Sequence, residues 1–353
     1  MSLFIKQKQQ GLSLIEIMIA LTLGLILTAG LVQIFVSNQK SFSLTAASAR
    51  VLESGRMSAE LLARAVRNAD YWGCSGGLGN AVNNLDPNGP GYNTATLGFG
   101  EGLEGTDNHS GTPGTGEPPA LAGTDSFIVR GVGGAADIKI DQVMVQPSAV
   151  LHVNDSTSLD DGDIVFITDC QGGDIFQATN VNANGNVVHN TGSNSPGNYN
   201  PGNCTNGNGT GNAHCLSQVY DAGAAIYIPY FEQYYVGQGA SGEPALFLRT
   251  GLMSGTNAGQ TSDIELIEGI ENMQVLYGDD SDGDGTADLW GKATDVTMAD
   301  VVAMRVSLLS RSEANNVAPD QPNISLGGST YGGDGRLRRV YTFTAAIRNR
   351  VGG

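Results

Sequence analysis

The sequence predicts an α+β fold in which one long N-terminal α-helix packs on an antiparallel β-sheet head. Helical periodicity extends from residue 12 to about residue 69, and no proline occurs before Pro87. Beyond residue 70 the helical pattern ends, and short β-like runs follow without helices between them. One long helix followed only by strands is the pattern of an α+β domain with an antiparallel sheet.

The chain divides into a leader, a helix and a head. Residues 1–11 form the leader, residues 12–36 the apolar half of the helix, and residues 37–70 its amphipathic half. Residues 71–353 are expected to form a single β-rich head. Many apolar residues lie in the N-terminal run and the 50 glycines indicate long loops, so only a modest core is left for the rest of the chain. The head contains a Gly-rich insertion at about 75–123, an Asn/Gly-rich insertion at about 190–215 and an acidic loop at 279–291. Predicted strands cover residues 126–130, 142–146, 163–168, 175–179, 224–231, 244–249, 264–277, 301–309 and 339–348.

The amphipathic half of the helix predicts its own contact face with the head. Small and apolar residues recur at spacings of three and four, which places them on one side of a helix. Charged residues, with Arg56/Glu60 and Glu60/Arg64 at the spacing of helical ion pairs, occupy the other side. The predicted contact face consists of Leu44, Ala47, Val51, Ser54, Ser58, Leu61 and Ala65.

The charge balance limits the partners of the chain. Its formal net charge is −17, and loss of a leader that carries Lys6 and Lys8 would make it more negative still. Such a surface repels phosphate backbones, so no direct nucleic-acid partner is expected. The same surface suits divalent cations.

The N-terminus predicts a membrane-spanning helix. The basic leader, MSLFIKQKQQG, precedes an apolar run at residues 12–36 in which Glu16 is the one charge. A helix of this length rises about 37 Å, enough to cross a hydrocarbon core of about 30 Å. The basic leader should stay in the cytoplasm, which sends the head across the membrane. From hydropathy alone, a simple signal anchor fits as well.

Glu16 distinguishes these alternatives. A carboxylate at the centre of a bilayer costs about 2.5 to 3.5 kcal/mol, and less near the interface, so it indicates a specific partner. If the chain is cut after Gly11, Leu12 becomes a new N-terminus one helical turn from Glu16. In a bundle of parallel helices, the amine of one subunit can then neutralise the Glu16 carboxylate of its neighbour.

The sequence Gly-Leu-Ser-Leu-Ile-Glu at residues 11–16, between lysines and an apolar run, resembles the signal of type IV prepilins and type II secretion pseudopilins. The resemblance implies a pilin-like fold and cleavage by a prepilin peptidase between Gly11 and Leu12. It also implies methylation of the new amine and a role for Glu16 in assembly. Leu12 stands where Phe is usual, which leaves the efficiency of methylation open.

Segments of the head narrow the resemblance to the PilW family of type IV pilus minor pilins. They are AxYWGC at 69–74, DGDIVFITDC at 161–170, LIEGIENMQVLYGDDSDGDGTADLW at 266–290, VVAMRVSLLSRS at 301–312 and LRRVYTFTAAIRNR at 337–350. The family implies an inner-membrane subunit with a periplasmic head that moves to the pilus tip. It implies partners among other minor pilins, the major pilin and a PilY-type adhesin, and indirect support of adhesion, twitching or DNA uptake. A GspJ-type pseudopilin of type II secretion is the nearest alternative.

The acidic loop predicts a calcium site. Residues 280–285, DSDGDG, have the spacing that wraps oxygen ligands around Ca²⁺. Gly291 occupies the position of the usual bidentate glutamate, so Asp279, Asp295 or Asp300 would have to supply that ligand. Residues 275–277 read as strand, which argues against a true EF-hand, and an exposed acidic turn without metal is the alternative. The expected ligands are Asp280, Asp282, Asp284, the Thr286 carbonyl and Asp288.

Four cysteines without a CxxC spacing fit two structural disulfides in an oxidising compartment. Closing the short loop between Cys204 and Cys215 is easiest, which leaves Cys74 to pair with Cys170. Sequence alone leaves the other pairings open.

No catalytic residues are predicted. The four histidines are scattered, and the sequence contains no serine-hydrolase, zinc-protease or phosphate-binding motif. A tip adhesin that binds a surface ligand directly is a further alternative. The aromatic cluster that could serve such an adhesin is Tyr227, Tyr230, Tyr234 and Tyr235, although side-chain packing explains tyrosines in a strand equally well.

Overall fold

The computed structural model describes residues 13–74, 80–114, 116–133, 137–191, 195–199 and 214–351. It confirms the predicted α+β fold, with one long N-terminal helix and a head built mainly of antiparallel strands. The helices are α1 (Leu14–Asn68) and α2 (Thr94–Leu97). The strands are β1 (Ala81–Asn83), β2 (Leu103–Thr106), β3 (Ser126–Gly133), β4 (Ile140–Gln142), β5 (Leu151–Val153), β6 (Ile164–Thr168), β7 (Gly173–Gln177), β8 (Asn180–Asn182), β9 (Asn186–Val188), β10 (Ala225–Gln238), β11 (Pro244–Gly251), β12 (Thr261–Glu268), β13 (Ile270–Asp279), β14 (Leu289–Gly291), β15 (Val301–Arg311), β16 (Ile324–Leu326), β17 (Ser329–Tyr331) and β18 (Arg338–Ala346).

Helix α1 is the longest element of the described chain. Its 55 residues rise about 82 Å. The first residue of α1 that the head buries is Ala47, so the whole N-terminal half protrudes. The C-terminal half lies against β18 and β15. The predicted division into a protruding half and a packed half is therefore present.

The contact face of α1 differs in part from the predicted stripe. Leu44 is exposed, and the helix buries Gly55, Leu62 and Val66, which the stripe omitted. A Cβ atom on Gly55 would lie 2.1 Å from the ring of Tyr341 in β18, so the absence of a side chain lets this ring pack against the helix backbone. Gly55 therefore lies on the buried face of the helix, in contact with β18. The predicted residues that are buried are Ala47, Val51 and Ser58.

Two main sheets form most of the head. The larger has eight strands in the order β1-β7-β6-β10-β11-β12, with β3 also paired to β10 and β2 to β3. All of these pairs are antiparallel except β1 with β7. The second sheet has the order β14-β13-β15-β18 and packs on α1. Leu62 and Val66 of α1 are completely buried in one apolar cluster with side chains of both sheets, among them Phe127, Met273 and Val306.

Two smaller sheets complete the head. Strands β4, β5, β9 and β8 form a sheet that shares an apolar cluster with the larger sheet: the cluster includes Leu151 of β5, Val187 of β9 and Phe176 of β7. Strands β16 and β17 form a hairpin. The Gly-rich insertion does not consist of loops alone: it supplies β1, α2 and β2, and its residues Leu97 and Phe99 are buried against Trp72 and Phe166.

Two strand predictions were wrong. The single run predicted at 264–277 is two strands, β12 and β13, divided at Gly269, which has a φ of +86° that favours glycine. Residues 143–146 lie outside β4, because the Met144 amide donates to the carbonyl of Tyr220, a residue that is not part of a strand. The remaining predicted strands are present with shifted ends, and β10 extends seven residues further than its predicted end at residue 231.

The predicted pairing of Cys74 with Cys170 is confirmed by a disulfide between them. It joins the segment after α1 to the end of β6, across a sequence separation of 96 residues. Cys215 is also disulfide-bonded. Cys204 lies outside the described residues.

Ion pairs hold the chain ends of the head together. Arg350, near the C-terminus, contacts Asp70 after α1 at 2.6 Å, and both side chains are buried. The Asp70 carboxylate also accepts a hydrogen bond from the Trp72 indole at 2.9 Å. A second, half-buried network on the other end of the second sheet comprises Arg311, Arg336, Arg338, Glu243, Glu271 and Asp334.

The fit of Gly55 against Tyr341 yields the first prediction. Gly55→Ala should lower the free energy of unfolding by about 1 to 3 kcal/mol, because the added methyl group overpacks the contact between helix and strand. Thermal unfolding of the full chain in detergent micelles measures the change. Gly30→Ala is the matched control, since no atom lies within 4 Å of a Cβ added there. Equal melting temperatures for Gly55→Ala and the unmodified protein would show that this contact does not determine how the helix packs.

A buried histidine pair yields the second prediction. The Nδ1 atoms of His189 and His214 are 3.2 Å apart, and burial lowers both pKa values, that of His214 to about 3. Both rings therefore stay neutral in the folded head, whereas in the unfolded chain they take up protons below about pH 6.5. Because the unfolded state then binds more protons, stability should fall as pH drops below about 6.5, by up to about 1.4 kcal/mol per pH unit for each histidine.

Urea unfolding of the full chain between about pH 7.5 and pH 5 measures this slope. The double substitution His189→Asn with His214→Gln should make the slope shallower, and the rest should come from His109, whose pKa burial also lowers. His152→Gln, at a half-buried histidine outside the pair, should leave the slope unchanged. A slope that the double substitution does not reduce would assign the pH dependence to other groups.

Candidate functional site

The protruding half of α1 carries the first candidate site. No residue from Ser13 to Ala46 is buried against the rest of the described chain, although most residues up to Val36 are apolar. Leu14 is 78 % exposed and Phe35 68 % exposed, values far outside the range for a folded core. By length and composition, α1 is the one helix of the described chain that could cross a membrane. The head offers this surface no cover, so the cover has to come from lipid or from other chains.

The first turn of α1 is closed by a capping box. The Ser13 hydroxyl accepts a hydrogen bond from the Glu16 amide at 3.3 Å, and the Glu16 carboxylate accepts one from the Ser13 amide at 3.0 Å. This reciprocal pair satisfies amides that have no partner inside the helix. The capping box was not among the features predicted from the sequence, although the Ser-x-x-Glu spacing is its signature.

The capping box also holds the Glu16 carboxylate at the very end of the helix. In the sequence, Glu16 comes four residues after Leu12, whose amine would be created by cleavage after Gly11. Gly11 and Leu12 themselves lie outside the described residues, so their part of the predicted cleavage site stays a prediction.

The acidic loop lies between β13 and β14, and it carries the second candidate site. Carboxylate oxygens of Asp280, Asp282 and Asp288 lie within 4.8 Å of one another. Two oxygens that bind one Ca²⁺ at about 2.3 to 2.6 Å are at most about 5 Å apart, so the three carboxylates fit one ion. Within the described residues this is the one cluster of three or more His, Cys, Asp or Glu side chains that could hold a metal.

Hydrogen bonds within the loop determine its shape. The Asp280 carboxylate accepts from the amides of Gly283, Asp284 and Gly285, at 2.7 to 3.0 Å. Gly283 and Gly285 have φ values of +79° and +83°, which favour glycine. The Asp288 carboxylate accepts from the amide and the hydroxyl of Ser281. The turn is therefore built around its own acidic side chains.

The carboxylates of the loop repel one another. A hydrogen bond from the Asp284 amide lowers the pKa of Asp282, but the carboxylates of Asp284 and Asp288 raise it, and the pKa ends above its usual value. Since Asp282 is fully exposed, water screens much of this repulsion.

Other parts of the predicted ligand set are not in the cluster. The Asp284 carboxylate accepts from the Thr286 amide at 2.7 Å and lies outside the group of three. The three candidates for the missing bidentate ligand are absent from the group as well. Asp279 accepts from the Thr297 amide, and Asp295 closes its own turn with Lys292. Strands enter and leave the loop, as predicted, so it is not an EF-hand.

The predicted aromatic cluster is divided between two faces of β10. Tyr230 and Tyr234 pack with the apolar cluster under α1, whereas Tyr227 packs with the cluster around Trp72. Tyr235 stacks on Phe247 instead, with ring centroids 5.3 Å apart. Residues that alternate along a strand point to opposite faces, so these four tyrosines cannot form a single binding surface.

Two family models match the chain. The model of the prokaryotic N-terminal methylation motif matches residues 6–32, and the model of the type IV pilus-assembly protein W, PilW, matches residues 233–349. No curated protein and no solved structure matches the chain. The first match contains the capping box and the exposed helix as far as residue 32, and the second contains every strand of the sheet that packs on α1. The two matches confirm the resemblance seen in the sequence: the chain is similar to the PilW family of type IV pilus minor pilins and carries a prepilin methylation motif at its N-terminus.

Proposed function

We propose that the chain helps to prime assembly of a type IV pilus and takes its place in the complex at the pilus tip. The exposed apolar half of α1, with Glu16 in its first turn, is the observation that carries this proposal. A helix of this kind is stable first in the bilayer and then in a bundle with the helices of other subunits. The basic leader stays in the cytoplasm and the head lies in the periplasm.

Assembly depends on a charge that proteolysis creates. Prepilin peptidase cuts after Gly11 and methylates the amine of Leu12. In the separate subunit the capping box at Ser13 holds the Glu16 carboxylate. In the filament the amine of a neighbouring subunit binds the same carboxylate, which removes two isolated charges from a low-dielectric bundle.

The head provides contacts to the partners. They are other minor pilins, the major pilin and a PilY-type adhesin. The match of residues 233–349 to a pilus-assembly protein supports a pilus rather than a type II secretion system. Support for adhesion, twitching or DNA uptake then follows indirectly, through the filament.

A calcium ion in the acidic loop is a further part of the proposal. The carboxylates of Asp280, Asp282 and Asp288 would hold it, and the ion would cancel their repulsion. The loop joins β13 to β14, and Val351 lies 3.8 Å from a Cβ placed on Gly285. Calcium would therefore stiffen the edge of the head that also carries the C-terminus.

Substitution of Glu16 tests the assembly mechanism. Glu16→Ala should leave cleavage after Gly11 intact but reduce incorporation of the protein into sheared filaments, by about tenfold or more if the pair contributes at least 1.4 kcal/mol. Immunoblots of filament and membrane fractions measure both results. Glu53→Ala is the matched control, because Glu53 is an exposed carboxylate on the packed half of the same helix. Normal incorporation of the Glu16→Ala protein would refute the pairing.

Calcium binding is tested by the stability of the full chain in detergent. Calcium at about 100 times its dissociation constant should stabilise the head by about 2.7 kcal/mol, and a chelator should reverse the effect. The double substitution Asp282→Asn with Asp288→Asn should abolish the response, whereas Asp320→Asn, at an exposed aspartate elsewhere, should keep it. A melting temperature of the unmodified protein that does not respond to calcium would refute the metal site.

A further inference from the structure

A groove with an unusual charge lies at the far end of α1. It has a volume of about 600 Å³, within the range of sites that bind small ligands or a few side chains. Tyr230 and Tyr234 of β10 form its buried wall, and three exposed arginines surround it: Arg64, Arg67 and Arg348.

The three arginines have no carboxylate partner among the described residues. Of the ten other arginines, seven form ion pairs with Asp or Glu. Of the remaining three, Arg305 lies over the Trp290 ring, and Arg56 and Arg339 are exposed and lie outside the groove. Glu60, one helical turn before Arg64, was predicted to pair with it, but no ion pair forms between them. In a chain with 35 acidic and 18 basic residues, three unpaired guanidinium groups around one groove need a separate explanation.

The position in the helix explains only one of the three unpaired arginines. Arg67 lies in the last turn of α1, where a positive charge stabilises the helix dipole. Arg64 lies a turn earlier, and Arg348 follows β18, so neither has this role. Glu232 is the one carboxylate that lines the groove, and it accepts a hydrogen bond from the Tyr234 hydroxyl at 2.8 Å.

Tyr230 and Tyr234 give the groove an uncharged aromatic wall. Burial, followed by the nearby Glu232 carboxylate, raises the pKa of both Tyr230 and Tyr234 above its ordinary value. Both hydroxyls therefore stay protonated and donate hydrogen bonds, that of Tyr230 to the Asn68 carbonyl at 3.0 Å. Guanidinium groups beside aromatic rings suit a ligand that carries carboxylates on a partly apolar backbone.

We propose that this groove binds an acidic peptide segment of a neighbouring subunit, through Arg64, Arg67 and Arg348. The assignment of this segment to a pilus subunit rests on the proposed function. The binding of carboxylates by the groove is independent of it.

Two other sources of negative charge fit less well. Arg64 lies about 42 Å of helix beyond Val36, so lipid headgroups are several Debye lengths of about 8 Å away. The negative net charge repels a nucleic-acid duplex over its whole length, whereas a short segment meets only the groove.

Fluorescence polarisation with the full chain in detergent micelles tests the proposal. A labelled tetraglutamate peptide should bind, with an affinity that falls as salt rises, and a tetraglutamine peptide should not. Arg64→Gln with Arg348→Gln should weaken binding by about tenfold or more, and Glu232→Gln should tighten it. The matched control is Arg56→Gln with Arg339→Gln, which removes the same charge from exposed arginines outside the groove.

Three results would overturn the proposal. They are equal binding of both peptides, an equal loss in the control variant, and tighter binding of a DNA duplex than of the glutamate peptide. Thermal unfolding shows whether each variant is folded, and Glu232→Gln provides a test by gain of affinity that misfolding cannot imitate. The two proposals can fail separately. If the Glu16→Ala protein enters filaments normally but the groove still binds the glutamate peptide, the assembly mechanism is refuted and the binding site is retained.

Discussion

The organisation of this protein depends on an apolar half-helix that the chain itself does not cover. From Ser13 to Ala46 the helix buries nothing against the described head, so it needs lipid or other helices around it. Glu16 makes the requirement specific. Its carboxylate lies in the first turn of α1, where it accepts a hydrogen bond from the Ser13 amide. In the sequence it is four residues from Leu12, the residue at which cleavage would provide an amine. Lipid can cover the apolar surface, but only a charged or polar partner can satisfy the acid.

The head is built so that the second half of the helix belongs to its core. Leu62 and Val66 of α1 are fully buried between the two main sheets, and Tyr341 packs where Gly55 has no side chain. Beyond the helix, the Asp70–Arg350 ion pair joins the end of α1 to the last described residues of the chain. One continuous helix thus links the head directly to the segment that enters the membrane or filament.

Local sequence patterns predicted the parts of the structure that depend on local interactions. The long helix and most strands follow from periodicity over neighbouring residues, and the prepilin motif is a short contiguous segment. The Cys74–Cys170 pairing was predicted because Cys204 and Cys215 are close enough in sequence to close a short loop. The predicted contact face of α1 failed where a distant residue takes part, because Tyr341 packs against Gly55. The predicted strand at 264–277 failed at a local residue instead, because Gly269 has a positive φ and divides the run.

The candidate sites also differ in how much of them can be predicted from residues that are close in sequence. The three carboxylates of the acidic loop are close in sequence and were predicted, although the position of Asp284 outside the cluster was not. The arginine groove brings together residues 64, 230 and 348, whose proximity exists only in the folded head. No spacing within the sequence indicates such a site.

The central claim is that an acid near the start of a membrane helix is neutralised by an amine that proteolysis creates. Mass spectrometry of the protein isolated from sheared filaments tests it most directly. We expect an N-terminal peptide that begins at Leu12 and is heavier by one methyl group. Protein from filaments that still carries residues 1–11 would contradict the claim, because Glu16 would then have no adjacent amine to bind.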